Sequence, residues 1–121
     1  MAFLWATVHV KNMEASLKFY QEVVGLNLRR RFSPTPGRDI AFLGVGETEV
    51  ELYHIEGESH LDMISGISLG FTTSDANTKM TDLKLKGYDV SEMMSPNPNL
   101  QYFYVKDPDG LNIQFVEDLR A

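Results

Sequence analysis

The chain has 121 residues, of which 43% are hydrophobic and 23% are charged, which is enough for one globular domain with a core. Its net charge of −6, without a basic face, argues against a nucleic-acid-binding protein and against binding to an anionic membrane surface. Because it has no cysteine, disulfides, thiolate metal sites and a cysteine nucleophile are excluded.

The first half of the chain predicts the order β-α-β-β-β. Residues 3–10 are rich in β-branched and aromatic side chains, and they lack the basic start, the cleavage site and the length of a targeting or membrane segment. We therefore expect a first strand in a cytoplasmic protein. Asn12 can cap a helix over residues 13–24 that Gly25 ends. Three further strands are predicted over residues 26–32, 40–45 and 49–55, with a breaker at 33–37 and a turn at 46–48.

The same order is predicted again after a polar stretch at residues 57–63. A strand over residues 67–72 precedes a helix that Ser74 or Asp75 caps and that Gly87 ends. The remaining strands are predicted over residues 88–93, 101–105 and 112–117, with a breaker at 95–99 and a turn at 107–110.

The two halves match at a fixed spacing, which indicates an internal duplication. Four pairs of breaker residues are each 62 positions apart: Gly25 and Gly87, Ser33 and Ser95, Pro34 and Pro96, and Pro36 and Pro98. We predict an α+β fold in which a single domain holds two tandem βαβββ units, about residues 1–56 and 65–118. One face of each curved sheet is covered by its helix, and we expect the two remaining faces to enclose a ligand cleft.

Motifs in both halves resemble the glyoxalase/bleomycin-resistance/dioxygenase (vicinal oxygen chelate) superfamily. The stretch Phe19-Tyr20-Gln21-Glu22-Val23-Val24-Gly25 is similar to the F-Y-x-x-x-L-G helix end of that family, with Val24 in place of leucine. The turn that starts at Asp107-Pro108-Asp109-Gly110 is similar to its D-P-D-G-x-x-I motif, and Phe42-Leu43 and Glu51-Leu52 match its third and fourth strands. The resemblance covers essentially the whole chain and implies the glyoxalase-like fold.

The resemblance also implies where a divalent metal would be held. The four ligand positions of metal-dependent members fall on Trp5, Glu51, Ser68 (or Ile67, because the register is open) and Gln114. Only Glu51 is a strong ligand, since the indole N–H of Trp5 is a donor and the other two side chains are neutral. His9 has the strand parity of Trp5 but lies roughly 13 Å further along, and His54 and His60 lie on the other face and in the linker. We therefore expect no metal and no other cofactor.

The remaining candidates for ligand contact are aromatic or charged. Trp5, Tyr53 and one face of the strand at 101–105, carrying either Tyr102 and Tyr104 or Phe103, are expected to stack on a planar ligand, or else to be ordinary sheet residues. His9 is either a hydrogen-bonding group of the cavity or a partly buried histidine. Arg30 either anchors an anion or lies along an edge strand.

Two roles remain open for Glu51, and they separate two functions. It is either a general base or a satisfied polar group that accepts from Trp5 Nε1–H or pairs with Gln114. The first hypothesis for the protein is a metal-independent binding protein, like the bleomycin-resistance branch, that holds a small aromatic or cationic molecule. The second is a glyoxalase I-like lyase or isomerase that uses Glu51 or a recruited metal. In both cases the partners are a small-molecule ligand and a second copy in a homodimer, with no nucleic acid and no membrane.

Overall fold

The computed structural model describes residues 3–46, 48–58 and 67–120. Backbone packing divides the chain into two compact units, Met1–Asp62 and Met63–Ala121. The first unit contains β1 (Trp5–His9), α1 (Met13–Lys18), a π-helical segment (Phe19–Val24), β2 (Asn27–Phe32), β3 (Arg38–Gly44) and β4 (Glu49–Ile55). The second contains β5 (Ser68–Thr72), α2 (Ala76–Leu85), β6 (Met94–Asn97), β7 (Leu100–Lys106) and β8 (Asn112–Asp118). No helix in the described part of the chain combines the length and apolarity needed to cross a membrane.

Each unit forms one four-stranded mixed sheet. The strand orders are β1-β4-β3-β2 in the first unit and β5-β8-β7-β6 in the second. The first strand of each unit pairs in parallel with the last one, and the other neighbours are antiparallel. These sheets confirm the predicted α+β fold with two βαβββ units.

The core of the first unit lies between its sheet and its helix. Side chains alternate between the two faces of a strand, and the buried residues of β1 and β4 follow that period. Val8, Val50 and Leu52 are buried on the face that also carries Ala41 and Leu43 of β3. Four helical residues supply the opposite side of the core: Met13, Leu17, Tyr20 and Val23.

The core of the second unit is aromatic. Phe103 of β7 and Phe115 of β8 are opposite each other in the sheet, and both are almost completely buried. Ile113 and Val105 lie on the same face, and α2 covers it with Leu83 and other side chains. The alternation that buries Phe103 leaves its neighbours Tyr102 and Tyr104 on the other face.

The first helix begins and ends as predicted but changes its type. The side chain of Asn12 accepts a hydrogen bond from the N–H of Ala15, and Gly25 ends the helix at φ 88° with its N–H bonded to Tyr20. Between them the last six residues form a π-helix, whose wider turn alters which side chains face the core. Regular helical spacing from Met13, Leu17 and Tyr20 predicts Val24 on the same face, but in the π-helix Val23 is buried and Val24 is half-buried.

The edge strand of the second unit differs from the prediction. We expected a strand over residues 88–93 and a breaker after it, but β6 spans Met94–Asn97, and Val90 makes only an isolated bridge to Val105. Pro96 is tolerated inside β6 because this strand lies at the edge of its sheet, where a missing N–H needs no ladder partner. Of the two residues predicted to cap α2, Ser74 and Asp75, the cap is Asp75, whose carboxylate accepts a hydrogen bond from the N–H of Thr78.

Candidate functional site

The face of the first sheet that is turned away from the helix carries most of the predicted site residues. We call it the open face of the first unit. It is defined by strand alternation and register, and it includes Trp5, Thr7, His9, Arg30, Phe32, Arg38, Ile40, Phe42, Glu49, Glu51 and Tyr53.

Phe42 lies at the centre of an aromatic cluster on this face. The ring of Trp5 meets it edge-on, with centroids 5.2 Å apart, and Phe32 stacks nearly parallel to it at 6.5 Å. The guanidinium carbon of Arg30 lies 4.0 Å from the centroid of the Phe42 ring. Phe42 is only 4% exposed, but Trp5 and Phe32 are 43% and 45% exposed, so they keep ring surface for another molecule.

Glu51 is half-buried beside this cluster, opposite Phe42 in the ladder. Its carboxylate accepts a hydrogen bond from Thr7 Oγ1 at 2.5 Å. The donor we considered from the sequence was Trp5, but the parallel register places Trp5 opposite Glu49 and Thr7 opposite Glu51. The carboxylate is therefore held by a neutral hydroxyl group on the neighbouring strand.

Arg30 lies on the open face, on the same side of β2 as Phe32 and opposite Phe42 in the ladder. Its Nη2 is 3.8 Å from Glu49 Oε1, and its side chain is 53% exposed. The guanidinium of Arg30 therefore lies against the ring of Phe42 and near the carboxylate of Glu49, and both of these groups attract a cation.

A second set of contacts lies at the end of the open face that carries His9 and Tyr53. The rings of His9 and Tyr53 stack 5.3 Å apart, with an interplanar angle of 12°. His9 Nδ1 is 3.2 Å from Glu58 Oε1, and Arg38 Nη1 donates to the Tyr53 hydroxyl at 2.9 Å. His9 and Tyr53 are thus brought together, in register with each other and one step along from the Thr7–Glu51 pair.

The open face of the second unit gathers the other predicted residues. It is defined in the same way and carries Ser68, Gly70, Tyr102, Tyr104, Asn112 and Gln114. The Tyr102 and Tyr104 rings meet edge-on at 5.8 Å, and Gln114 Nε2 donates to the Tyr104 hydroxyl at 3.4 Å. The alternative that the sequence left open is decided here, because Phe103 is fully buried on the helix side.

The registers of the two sheets identify equivalent positions. Trp5 pairs with Glu49, which lies two residues before Glu51 in β4. Ser68 pairs with Asn112, which lies two residues before Gln114 in β8. Ser68 is therefore the counterpart of Trp5, and Gln114 is the counterpart of Glu51. Ile67 precedes β5 and is half exposed, so it is not the equivalent residue.

Other ionisable side chains lie away from the open face. His54 is half-buried on the helix side, where its Nδ1–H donates to the carbonyl of Val10 at 2.9 Å, and His60 lies outside the described residues. Asp39 accepts two hydrogen bonds from Arg31, at 3.1 and 2.8 Å, and these bonds lower the pKa of Asp39. They tie β2 to β3.

The sequence did not single out Thr7, Phe32, Arg38 or Glu49 as site residues. The strand parity that Thr7 shares with Trp5 and His9 was an available signal. For Phe42 no such signal existed, since every residue from Ile40 to Gly44 is buried and the strand shows no alternation.

Comparisons with known proteins agree with this architecture. The family model described as Glyoxalase/Bleomycin resistance protein/Dioxygenase superfamily matches residues 2–115. A lactoylglutathione lyase of Neisseria meningitidis is 31% identical over 125 residues, which cover 97% of this chain and 91% of that protein. Two solved structures share the fold. The trypanothione-dependent glyoxalase I of Leishmania major has a TM-score of 0.84 at 21% identity, covering 97% of this chain and 86% of that one. TnmS3, an antibiotic-binding protein from Streptomyces sp. CB03234, has a TM-score of 0.77 at 20% identity, covering 98% and 96%.

Proposed function

Because this chain belongs to the Glyoxalase/Bleomycin resistance protein/Dioxygenase superfamily, we propose that it binds a small organic molecule on its open faces without a metal ion. The observation that carries the proposal is the side chain of Trp5. At the first of the positions that the resemblance assigns to metal ligands, the open face presents a partly exposed indole that packs on Phe42.

The donor set at the four positions does not fit a catalytic divalent ion. Trp5 has no lone pair to give, and Ser68 and Gln114 offer a neutral hydroxyl and a neutral amide. Catalytic zinc sites use about three histidine or carboxylate ligands, whereas only Glu51 is of that kind here. Nowhere in residues 3–46, 48–58 and 67–120 do three His, Cys, Asp or Glu side chains form a group that could hold a metal.

The same residues suit a flat organic molecule. A ring can stack on the exposed part of Trp5, and aromatic contacts of this kind contribute about 0.5–1.5 kcal/mol beyond the area that they bury. Glu51 accepts from Thr7 and keeps further lone pairs for a donor group of the ligand. The tyrosines and Gln114 of the second unit offer a similar polar and aromatic surface.

Metal analysis and ligand binding test this proposal together. The purified protein should contain no stoichiometric divalent ion, and small aromatic compounds should shift the fluorescence of Trp5, the single tryptophan of the chain. Glu51→Gln should weaken compounds with a donor group, whereas Glu22→Gln, at an exposed helical position, should not. A tightly held ion whose removal abolishes binding would refute the metal-independent reading.

A second function is favoured by Glu51 itself. Its counterpart Gln114 is neutral, but Glu51 carries a carboxylate that accepts a hydrogen bond from Thr7. A positioned carboxylate can serve as a general base. The lactoylglutathione lyase that is 31% identical names the reaction to try first. If the protein is such an enzyme, lactoylglutathione lyase activity should appear with or without added divalent ions and should be lost in Glu51→Gln. Its absence under both conditions would exclude this alternative.

We also propose that two copies of the chain form a homodimer. Isologous pairing is the default for soluble oligomers, and β2, an edge strand, exposes Leu28. Light scattering at micromolar concentration should give twice the monomer mass of 13.7 kDa. A stable monomer would contradict the proposal.

A further inference from the structure

The aromatic cluster of the first unit already carries a cation. We call Trp5, Phe32 and Phe42 the aromatic site. The guanidinium of Arg30 lies over the Phe42 ring at 4.0 Å, within the range in which a cation is attracted by the electron-rich face of a ring. Trp5 and Phe32 flank the same ring and remain partly exposed.

Acidic side chains around the aromatic site also favour a positively charged ligand. The carboxylate of Glu49 is 3.8 Å from Arg30, and Glu51 is opposite Phe42 in the ladder. An anion bound here would be repelled by both carboxylates, whereas a cation would be attracted by them and by the rings. The surroundings therefore select against the anion that Arg30 alone would suggest.

Arg30 is held loosely compared with its neighbour. Arg31 makes three direct hydrogen bonds to Asp39 and Glu14, between 2.7 and 3.1 Å. The one ion pair described for Arg30 has an N···O distance of 3.8 Å, beyond the usual length of a charged hydrogen bond, and its side chain is 53% exposed. Displacing Arg30 from Phe42 therefore breaks no short polar contact in the described part of the chain.

From these contacts we infer that the aromatic site binds a flat organic cation, such as an amidinium or guanidinium group, and that Arg30 is an internal competitor for it. The inference rests on the proposed function and names its ligand class. In the free protein Arg30 covers Phe42. A ligand cation takes the place of the guanidinium, which swings into solvent on the edge strand β2.

Three probes of one shape and different charge test the inference: benzamidinium, benzamide and benzoate. The single tryptophan gives one indole N–H cross-peak in a ¹H–¹⁵N NMR spectrum, so its shift measures binding at Trp5 directly. The wild-type protein should bind benzamidinium more tightly than benzamide, and benzamide more tightly than benzoate.

If Arg30 competes with the ligand cation, its removal strengthens binding, whereas if Arg30 anchors the ligand, its removal weakens binding. Arg30→Met should strengthen benzamidinium binding by about two- to fivefold, which is the usual strength of an exposed cation–π contact expressed as a ratio. Arg29→Met removes the same charge from the adjacent residue of the same strand and should change binding by less than that. Arg30→Gln provides a second variant if the methionine variant does not fold.

Two different results would separate the failure of this inference from that of the proposed function. If benzamide shifts the Trp5 signal but benzamidinium binds no better, or if Arg30→Met weakens benzamidinium binding, the site takes organic molecules and the cation assignment is wrong. If none of the three probes moves the signal, the cation assignment is wrong. If the purified protein also holds a stoichiometric ion, the proposed function fails as well.

Discussion

Replacing Trp5 by alanine tests whether this side chain serves a surface site or the core of the first unit. Trp5 is 43% exposed, and its described ring contact is the edge-on packing against Phe42 at 5.2 Å. Truncation of a fully buried tryptophan costs about 3–5 kcal/mol, and scaling this range by the buried fraction gives about 2–3 kcal/mol for Trp5. A site residue of this kind contributes to both stability and binding.

The assay has to be independent of tryptophan fluorescence, because the variant lacks the single tryptophan of the chain. Urea unfolding followed by far-UV circular dichroism gives the free energy of unfolding, and calorimetry gives the affinity for benzamidinium. Trp5→Phe is the matched control, since it keeps a ring against Phe42, and it should cost less than about 1.5 kcal/mol. A loss above about 4 kcal/mol in Trp5→Ala, with binding retained, would mean that Trp5 is a core residue and would refute the reasoning.

Three further predictions concern the framework that carries the site. Asp39→Asn should lower stability by about 1 kcal/mol at neutral pH. Because Arg31 lowers the pKa of Asp39, this contribution to stability is present above the ordinary pKa of aspartate and is lost as pH falls through the lowered value. The unfolding free energies of variant and wild type should therefore converge in strong acid. A difference that stays constant with pH would contradict this prediction. Gly25→Ala and Gly87→Ala should each lower stability by about 1–2 kcal/mol in thermal unfolding, because their φ angles of 88° and 90° are unfavourable for alanine. An added Cβ would meet open space at both positions, so the backbone conformation alone sets the cost. Clearly unequal losses would argue against equivalent helix ends. Phe103→Ala should cost about 3–5 kcal/mol in urea unfolding, because the ring is fully buried, and a loss below about 2 kcal/mol would show that the core is less tightly packed than described.

The fold follows from signals that are local in sequence. Alternation of apolar and polar residues predicts strand faces, and breakers such as Gly25 and Gly87 at one spacing predict the duplication. The resemblance to the family implies that Trp5 and Glu51 belong to the site, and alternation adds His9 to the face of Trp5, because a residue and its second neighbour point to the same side of a strand. These predictions need no knowledge of how strands pair.

The details that the sequence did not predict depend on pairing or on backbone geometry. The partner of Glu51 is set by the register between β1 and β4, and strand parity cannot choose between Trp5 and Thr7 as the donor. In β7 a tyrosine stands on either side of Phe103, so polarity alone did not decide which aromatic residues are buried. The π-helical segment is a change in hydrogen-bond spacing that apolar periodicity does not reveal.

Parallel pairing of the first and last strand has a consequence for how each unit is made. The described ladder partner of β1 is β4, and Thr7 and Glu51, which meet across this ladder, are 44 positions apart in the sequence. A ribosome must therefore complete nearly the whole unit before its opening strand finds a neighbour, and closing so long a loop is slow compared with forming a hairpin. During that interval the nascent edge is open to wrong association, and a chain that stops before β8 would leave β5 unpaired.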